Sequence, residues 1–468
     1  MMTRIESDSL GEVELAADAL YGAHSARARD NFPLSGQTPA PELVRALAQV
    51  KIACARTNRE LGFLTAEQAD AIESAARELM DGRLADAIVV DALQGGAGTS
   101  LNMNVNEVIA NRAEELLGGR RGEYRLVHPI DHVNLHQSTN DSYPTALKVA
   151  AIGLLRELHK AISGLQAAFQ AKEQAFAHVV KVGRTQLQDA CPTTLGASFS
   201  AWAEALARDR WRVSKCEERL RVVNLGGTAI GTGITAPRDY IFTVTERLRE
   251  ETRQGLARAE NLVDATQNVD VFVEVSGILK AHAVNLLKIS SDLRLLASGP
   301  RAGLGELHLP ERQVGSSIMP GKVNPVICEA IAQVAMQTIA NDTAITLAAQ
   351  AGQLELNAFL PLIAHALLGS LTLLARGNDM FRSRCVEGIV ADEARCREQV
   401  VRSLATVTAL VPLLGYQTAA ALAKEALATD STIAAVALKN GLLTQEALDQ
   451  ALSASAMTTL GFRGKART

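Results

Sequence analysis

Aromatic residues make up only 4% of this 468-residue chain, although 47% of it is hydrophobic. The apolar content is therefore mostly Ala, Leu, Val and Ile, a mixture that favours closely packed helices over sheets. Positive charge is not in excess: 47 Lys and Arg against 51 Asp and Glu leave a net charge of −4, with no basic block carrying interleaved aromatics. Nucleic acid is thereby excluded as a partner. The six cysteines, Cys54, Cys191, Cys216, Cys328, Cys385 and Cys396, include no Cys-x-x-Cys pair. Such scatter reads as reduced thiols in a cytoplasmic protein, most of them core filler. No uninterrupted apolar stretch is long enough to span a bilayer, and the opening MMTRIESDSLGEVEL lacks a charged segment followed by an apolar run. The expectation is a soluble, unsecreted protein with no membrane partner.

What the chain does have is helical rhythm. Leu155, Leu158, Ile162, Leu165 and Phe169 recur at spacings of three and four, as do Phe272, Val275, Leu279, Leu286, Ile289 and Leu293. A third stripe runs from Phe199 through Trp202, Leu206, Val213 and Cys216 to Leu220, and similar patterns occupy Val326 to Leu347 and Leu360 to Phe381. These predict a mainly α fold built on a central bundle of very long helices. Wide apolar faces on long helices also predict burial against another subunit. The expected division is an N-terminal domain over 1–139 with one helical stretch near Pro41 to Met80, a long-helix domain over 140–390, and a small helical domain over 391–468.

Between the stripes lie polar, Gly-rich segments: GGAGTSLNMN from Gly95, VNLHQSTND from Val133, GRTQLQDACP from Gly183, GGTAIGTG from Gly226 and GSSIMPGKVNP from Gly315. Chemistry concentrates on such loops when a rigid scaffold holds them. The last one is not a phosphate-binding P-loop, because five residues separate Gly315 from Gly321 and Val323, without a hydroxyl, follows Lys322. Together Thr99, Ser100, Ser138, Thr139, Asn140, Thr185, Gln186, Ser316, Ser317, Lys322 and Asn324 supply many hydrogen-bonding groups and one positive charge. That inventory suits a small anion with several oxygens. Any one of these segments alone reads equally as a helix cap.

GSSIMPGKVNP, together with QSTND, GAGTSLNMNVNEVIANR, GRTQLQDA and GQLELN, resembles the aspartase/fumarase superfamily, in its aspartase and class II fumarase branch. The likeness runs over nearly the whole chain, from DSLGEVELAADALYGAHS to LGYQTAAALAKEA and GLLTQEALD. It implies a helical three-domain subunit, a homotetramer around a multi-helix core, and active sites that each collect segments from three subunits. It also implies anti elimination of ammonia or water to release fumarate, without an organic cofactor and with activation by a divalent cation left open.

By the same resemblance, Ser316 is the base that removes a proton next to one substrate carboxylate. A serine needs a positive field for this, which the Gly315 to Ile318 backbone N–H groups and Lys322 are expected to provide. Thr99, Ser138, Thr139 and Ser317 match positions that bind the carboxylate into which the carbanion charge spreads. Thr185, Lys322 and Asn324 match those that hold the other carboxylate, and Asn140 and Gln186 those that face the leaving group. Glu329 matches a Glu that pairs, in fumarases, with a His where this chain has Gln186. Gln186 does not titrate, but its carbonyl accepts a hydrogen bond from an ammonium, so the expected reaction is L-aspartate to fumarate and ammonia. The alternatives are a class II fumarase and a lyase acting on another amino acid or a betaine such as ergothioneine.

Four departures from the family pattern, at Ile130, His136, Ala197–Ser198 and Leu360, fall in or beside these motifs. His128, His132 and His136 have the spacing of metal ligands on a helix face, but Pro129 argues against a regular helix there and no metal site is expected. His136 is expected to line the pocket or pack beside it.

Overall fold

The N-terminus folds back on itself as a hairpin, β1 (Thr3–Asp8) and β2 (Gly11–Ala16), antiparallel with Thr3 opposite Ala16 and Asp8 opposite Gly11. Four helices follow: α1 (Ala23–Asn31), α2 (Pro41–Glu60), α3 (Ala66–Met80) and α4 (Thr99–Leu116). Next come α5 (Thr139–Ala175), a second hairpin of β3 (Val180–Thr185) and β4 (Gln188–Thr194), and α6 (Leu195–Leu220). Then α7 (Arg238–Thr252), α8 (Leu262–Gln267) and α9 (Asp270–Leu296) lead to α10 (Val326–Gln350), α11 (Leu360–Arg384) and α12 (Glu393–Arg402). Short helices follow, among them Gln445–Ala451. This is a computed structural model that describes residues 2–461. The fold is mainly helical, as the composition required.

The stripes of Leu155, Phe199 and Phe272 lie on α5, α6 and α9, and the remaining two patterns became α10 and α11. The single helical stretch expected near Pro41 to Met80 is instead two helices. Gly62 takes a left-handed φ of 78°, and Thr65 caps α3 in a reciprocal box with Gln68. Apolar periodicity does not register such a break, whereas the Thr-x-x-Gln box does.

The chain forms two compact units, each assembled from three stretches. One takes residues up to Lys160, 209–284 and 334–376. In it, Ser276 and Lys280 of α9 both hydrogen-bond Asp342 of α10, and Asn341 reaches Ser370 of α11. Arg156 of α5 pairs with Glu217 of α6. Glu107 of α4 caps α1 from across the fold, its carboxylate accepting the backbone N–H groups of Gly22, His24 and Ser25. These are orphan donors at a helix N-terminus, satisfied by a buried anion.

The other unit takes residues 161–208, 285–333 and Gly377 onward. Its core includes an aromatic cluster in which Phe169 meets Phe199, Trp202 and Phe381 at centroid distances of 5.7, 6.0 and 6.1 Å. These four aromatic rings fill the gaps between long helices that smaller side chains would leave. By length and a mean hydropathy of 1.4 the Leu360–Gly388 stretch would suffice to cross a bilayer, but 61% of that window is buried inside the fold. Its apolarity serves the core.

Candidate active site

The QSTND segment enters α5 through a dense set of bonds. Ser138 N donates to Asp141 Oδ1 at 3.0 Å, while Asp141 Oδ2 accepts the backbone N–H groups of Gly226 and Thr228 at 3.0 Å each. Burial pushes the Asp141 carboxyl up to about 6, against the pull of those N–H donors. Asn140 Nδ2 donates to Ala229 O at 2.7 Å, leaving its carbonyl oxygen as an acceptor. The GGTAIGTG segment is thereby tied to the start of α5.

Hydroxyl polarity in this segment is uniform. Ser138 Oγ accepts from Asn140 N at 3.2 Å, and Thr139 Oγ1 accepts from Asn102 Nδ2 at 3.1 Å. Among the described residues neither hydroxyl proton meets an acceptor. Thr99, the first residue of α4, differs, because its hydroxyl donates to Gly96 O at 2.8 Å. Gly98 before it has φ 93°, and a Cβ there would fall 2.3 Å from the Tyr143 ring. Only glycine fits that turn.

Beneath Thr139 lies a group that sequence reasoning missed. Lys51 of α2 is fully buried, and its ammonium donates to Asn102 Oδ1, Gln137 Oε1 and Asn134 Oδ1 at 2.7, 2.8 and 3.1 Å. Burial lowers its pKa to about 8. The signal was available in part, since Asn102, Asn134 and Gln137 all lie inside quoted motifs, but nothing in the α2 pattern marks Lys51 as inward.

Thr185, Gln186, Ser316, Ser317, Lys322, Asn324 and Glu329 belong to the other unit. Thr185 and Gln186 sit at the tip of the β3–β4 hairpin, exposed. Gln186 and Leu187 form its two-residue turn with φ of 54° and 63°. Both are left-handed non-glycine residues, a strain that the neck of the hairpin must sustain. At that neck, Arg184 hydrogen-bonds buried Glu306 and, at 3.0 Å, Gln399; Ser403 donates to Asp189 at 2.7 Å. Arg184, Asp189, Gln399 and Ser403 border a cleft of about 250 Å³ whose lining includes neither Thr185 nor Gln186.

The GSSIMPGKVNP loop is closed by Gly315 N donating to Lys322 O at 2.8 Å and Asn324 Nδ2 donating to Gly315 O at 2.6 Å. Ser316 Oγ accepts from Met319 N at 2.9 Å and from Ile318 N at 3.2 Å. Of these two donors, Ile318 lies within the 315–318 span named from the sequence and Met319 lies one residue beyond it. Ser317 and Lys322 are exposed at the loop surface. Glu329, on the first turn of α10, lies 3.8 Å from Arg294.

The family departures separate in space. Leu360 is 1% exposed and belongs to the core, whereas Ile130 is 54% exposed. His136 packs edge-on between Phe63 and Tyr240, centroids 4.7 and 5.3 Å away, with Nδ1 2.7 Å from Asn58. Residues 129–133 form one wide helical turn in which His128 Nδ1 accepts from Ile130 N and Asp131 N. Among the described residues no cluster of three or more His, Cys, Asp or Glu has the arrangement of a metal site.

Comparison with known proteins places the chain among lyases. The family described as Lyase matches residues 11–340, and the Fumarase C C-terminus matches residues 407–459. An aspartate ammonia-lyase of Bacillus sp is 47% identical over 462 residues, covering 99% of this chain and 99% of that relative. One from Pseudomonas canavaninivorans is 50% identical over 452 residues, covering 96% and 95%. A fumarate lyase:delta crystallin from Brucella melitensis bound to cobalt has a TM-score of 0.94 and 49% identity, covering 98% of this chain and 100% of that one.

Proposed function

Since the chain belongs to the aspartase/fumarase superfamily of lyases, we propose that it is a carbon–nitrogen lyase that reversibly eliminates ammonia from L-aspartate to give fumarate. The observation that carries the mechanism is the Ser316 hydroxyl, whose oxygen already accepts two backbone N–H groups. Those donors and the nearby Lys322 charge lower the cost of an alkoxide, so Ser316 removes the proton next to one carboxylate. The resulting carbanion survives because its charge spreads into that carboxylate. Ser138, Thr139 and Ser317 aim hydroxyl protons at it, and Thr99 joins them once its hydroxyl turns from Gly96. Donors preorganised at developing charge are each worth about 3 kcal/mol.

Thr185, Lys322 and Asn324 hold the second carboxylate. The carbonyl oxygens of Asn140 and Gln186 receive the ammonium, and Glu329 adds negative charge near the leaving group. No organic cofactor is required, because side chains supply base, donors and acceptors. The site is completed by association into a homotetramer, in which three subunits contribute the Ser138, Gln186 and Ser316 segments. Exposed apolar side chains on the long helices support that assembly, including Trp211, Val284, Met336 and Leu347.

Ultraviolet absorbance of the product alkene tests the reading, with L-malate and ergothioneine run in parallel. Fumarate and equimolar ammonia from L-aspartate are expected, and Ser316→Ala should lower turnover by about a thousandfold or more while the fold persists. Silence on aspartate with product from either other substrate would overturn the assignment.

A further inference from the structure

Lys51 takes no part in the mechanism above, yet it is a fully buried cation one residue away from a pocket hydroxyl. An ammonium has three donors and no acceptor, so each of its neighbours must present oxygen. Asn102 is one of them, with Oδ1 2.7 Å from the Lys51 Nζ. Its amide orientation is therefore dictated, and Nδ2 must face away, where it donates to Thr139 Oγ1 at 3.1 Å and Asn134 Oδ1 at 3.1 Å. A threonine oxygen that accepts inward keeps its proton for the outside, and among the described residues no acceptor takes that proton.

We infer that Lys51 is a positioning residue that acts through Asn102 to set the direction of the Thr139 hydroxyl, making it a donor to the substrate carboxylate. The inference rests on the carboxylate-binding reading of Thr139. A neutral side chain in place of Lys51 would no longer demand oxygen from both Asn102 and Asn134, so the two amides could turn together, presenting Asn102 Oδ1 to Thr139. The hydroxyl would then donate inward and meet the carboxylate with lone pairs. The buried charge thus selects one of two hydrogen-bond polarities that have almost the same shape.

The test is Asn102→Asp. A carboxylate forms an ion pair with Lys51 but offers Thr139 only an acceptor and gives up the bond to Asn134, so a merely structural role for Asn102 predicts a change confined to stability. The expected result is instead a folded protein whose kcat/KM for L-aspartate falls by about tenfold to a hundredfold. Succinate affinity by calorimetry should fall similarly. Added to Thr139→Val, Asn102→Asp should cause no further loss, because the hydroxyl it misdirects is already gone. Lys51→Met carries the same comparison should the aspartate variant not fold. Unchanged kcat/KM and succinate affinity in Asn102→Asp, or losses that multiply in the double variant, would overturn the inference. Wild-type protein that binds succinate but is inert toward aspartate would refute the proposed reaction alone, and the succinate comparison would still decide the role of Lys51. Wild-type protein that binds neither would overturn both.

Discussion

Gln186 holds a long side chain on a left-handed backbone. It occupies a left-handed conformation at an exposed hairpin tip, where glutamine costs more than glycine or asparagine would. An ordinary turn would not retain it. On the proposed reading its carbonyl oxygen, which does not titrate, accepts a hydrogen bond from the ammonium of L-aspartate. Gln186→Leu should therefore lower kcat/KM for L-aspartate by about tenfold or more through loss of one charge-assisted hydrogen bond, with the oligomer unchanged by sizing. Unaltered steady-state kinetics would remove Gln186 from the site.

At the scale of elements, the long helices are joined by polar ties as well as by apolar stripes. Glu217 of α6 receives Arg156 of α5 at 2.8 Å and Arg221 of its own helix at 2.7 Å. Hydrogen bonding to Arg156, followed by that to Arg221, holds its carboxyl down at about 2. A depressed folded-state pKa means that the unfolded chain binds more protons between the ordinary value of 4.5 and about 2. The contribution to stability is complete above pH 4.5 and is lost as pH falls through about 2. Glu217→Gln should flatten the acid limb of stability in that window, read by denaturant midpoints at several pH values. A limb identical to that of the wild type would show that the pair is as loose in the folded chain as in the unfolded one.

The same scale explains which elements were legible beforehand. Periodicity located α5, α6, α9, α10 and α11, because a long amphipathic helix repeats its signal many times. It did not find the β3–β4 hairpin, since GRTQLQDACP lacks alternation and its turn residues, Gln186 and Leu187, are not turn formers. Tertiary bonds from Arg184 and Asp189 hold that neck instead. The break between α2 and α3 was passed over for the opposite reason, that the apolar rhythm continues on both sides of Gly62.

For the molecule as a whole, the segments that resemble one family's motifs fall into two compact units, Ser138 and its neighbours in one and Gln186 and Ser316 in the other. Exposed apolar residues on α6, α9 and α10 are the surfaces that an assembly would cover, with Trp211 65% and Val284 51% exposed. Size-exclusion chromatography with light scattering should give four times the chain mass of 49.8 kDa. A monomer that retained full activity would sink the shared-site proposal.

The linear order of residues was enough to establish the helical class, the position of the long helices and the family, because each rests on many residues repeated along the chain. It was enough also to single out Ser316, whose loop is local: both donors to its oxygen lie within three residues. Only the tertiary structure decided that Leu360 is core, that Glu107 caps a helix far from it in sequence, and that Lys51 lies under Thr139. Those facts depend on burial and on bonds between distant segments, such as the 51 residues that separate Lys51 from Asn102. A lysine in a helix reads as surface until the fold encloses it, and the cost of burying its charge is then what gives it three amide oxygens and a fixed orientation.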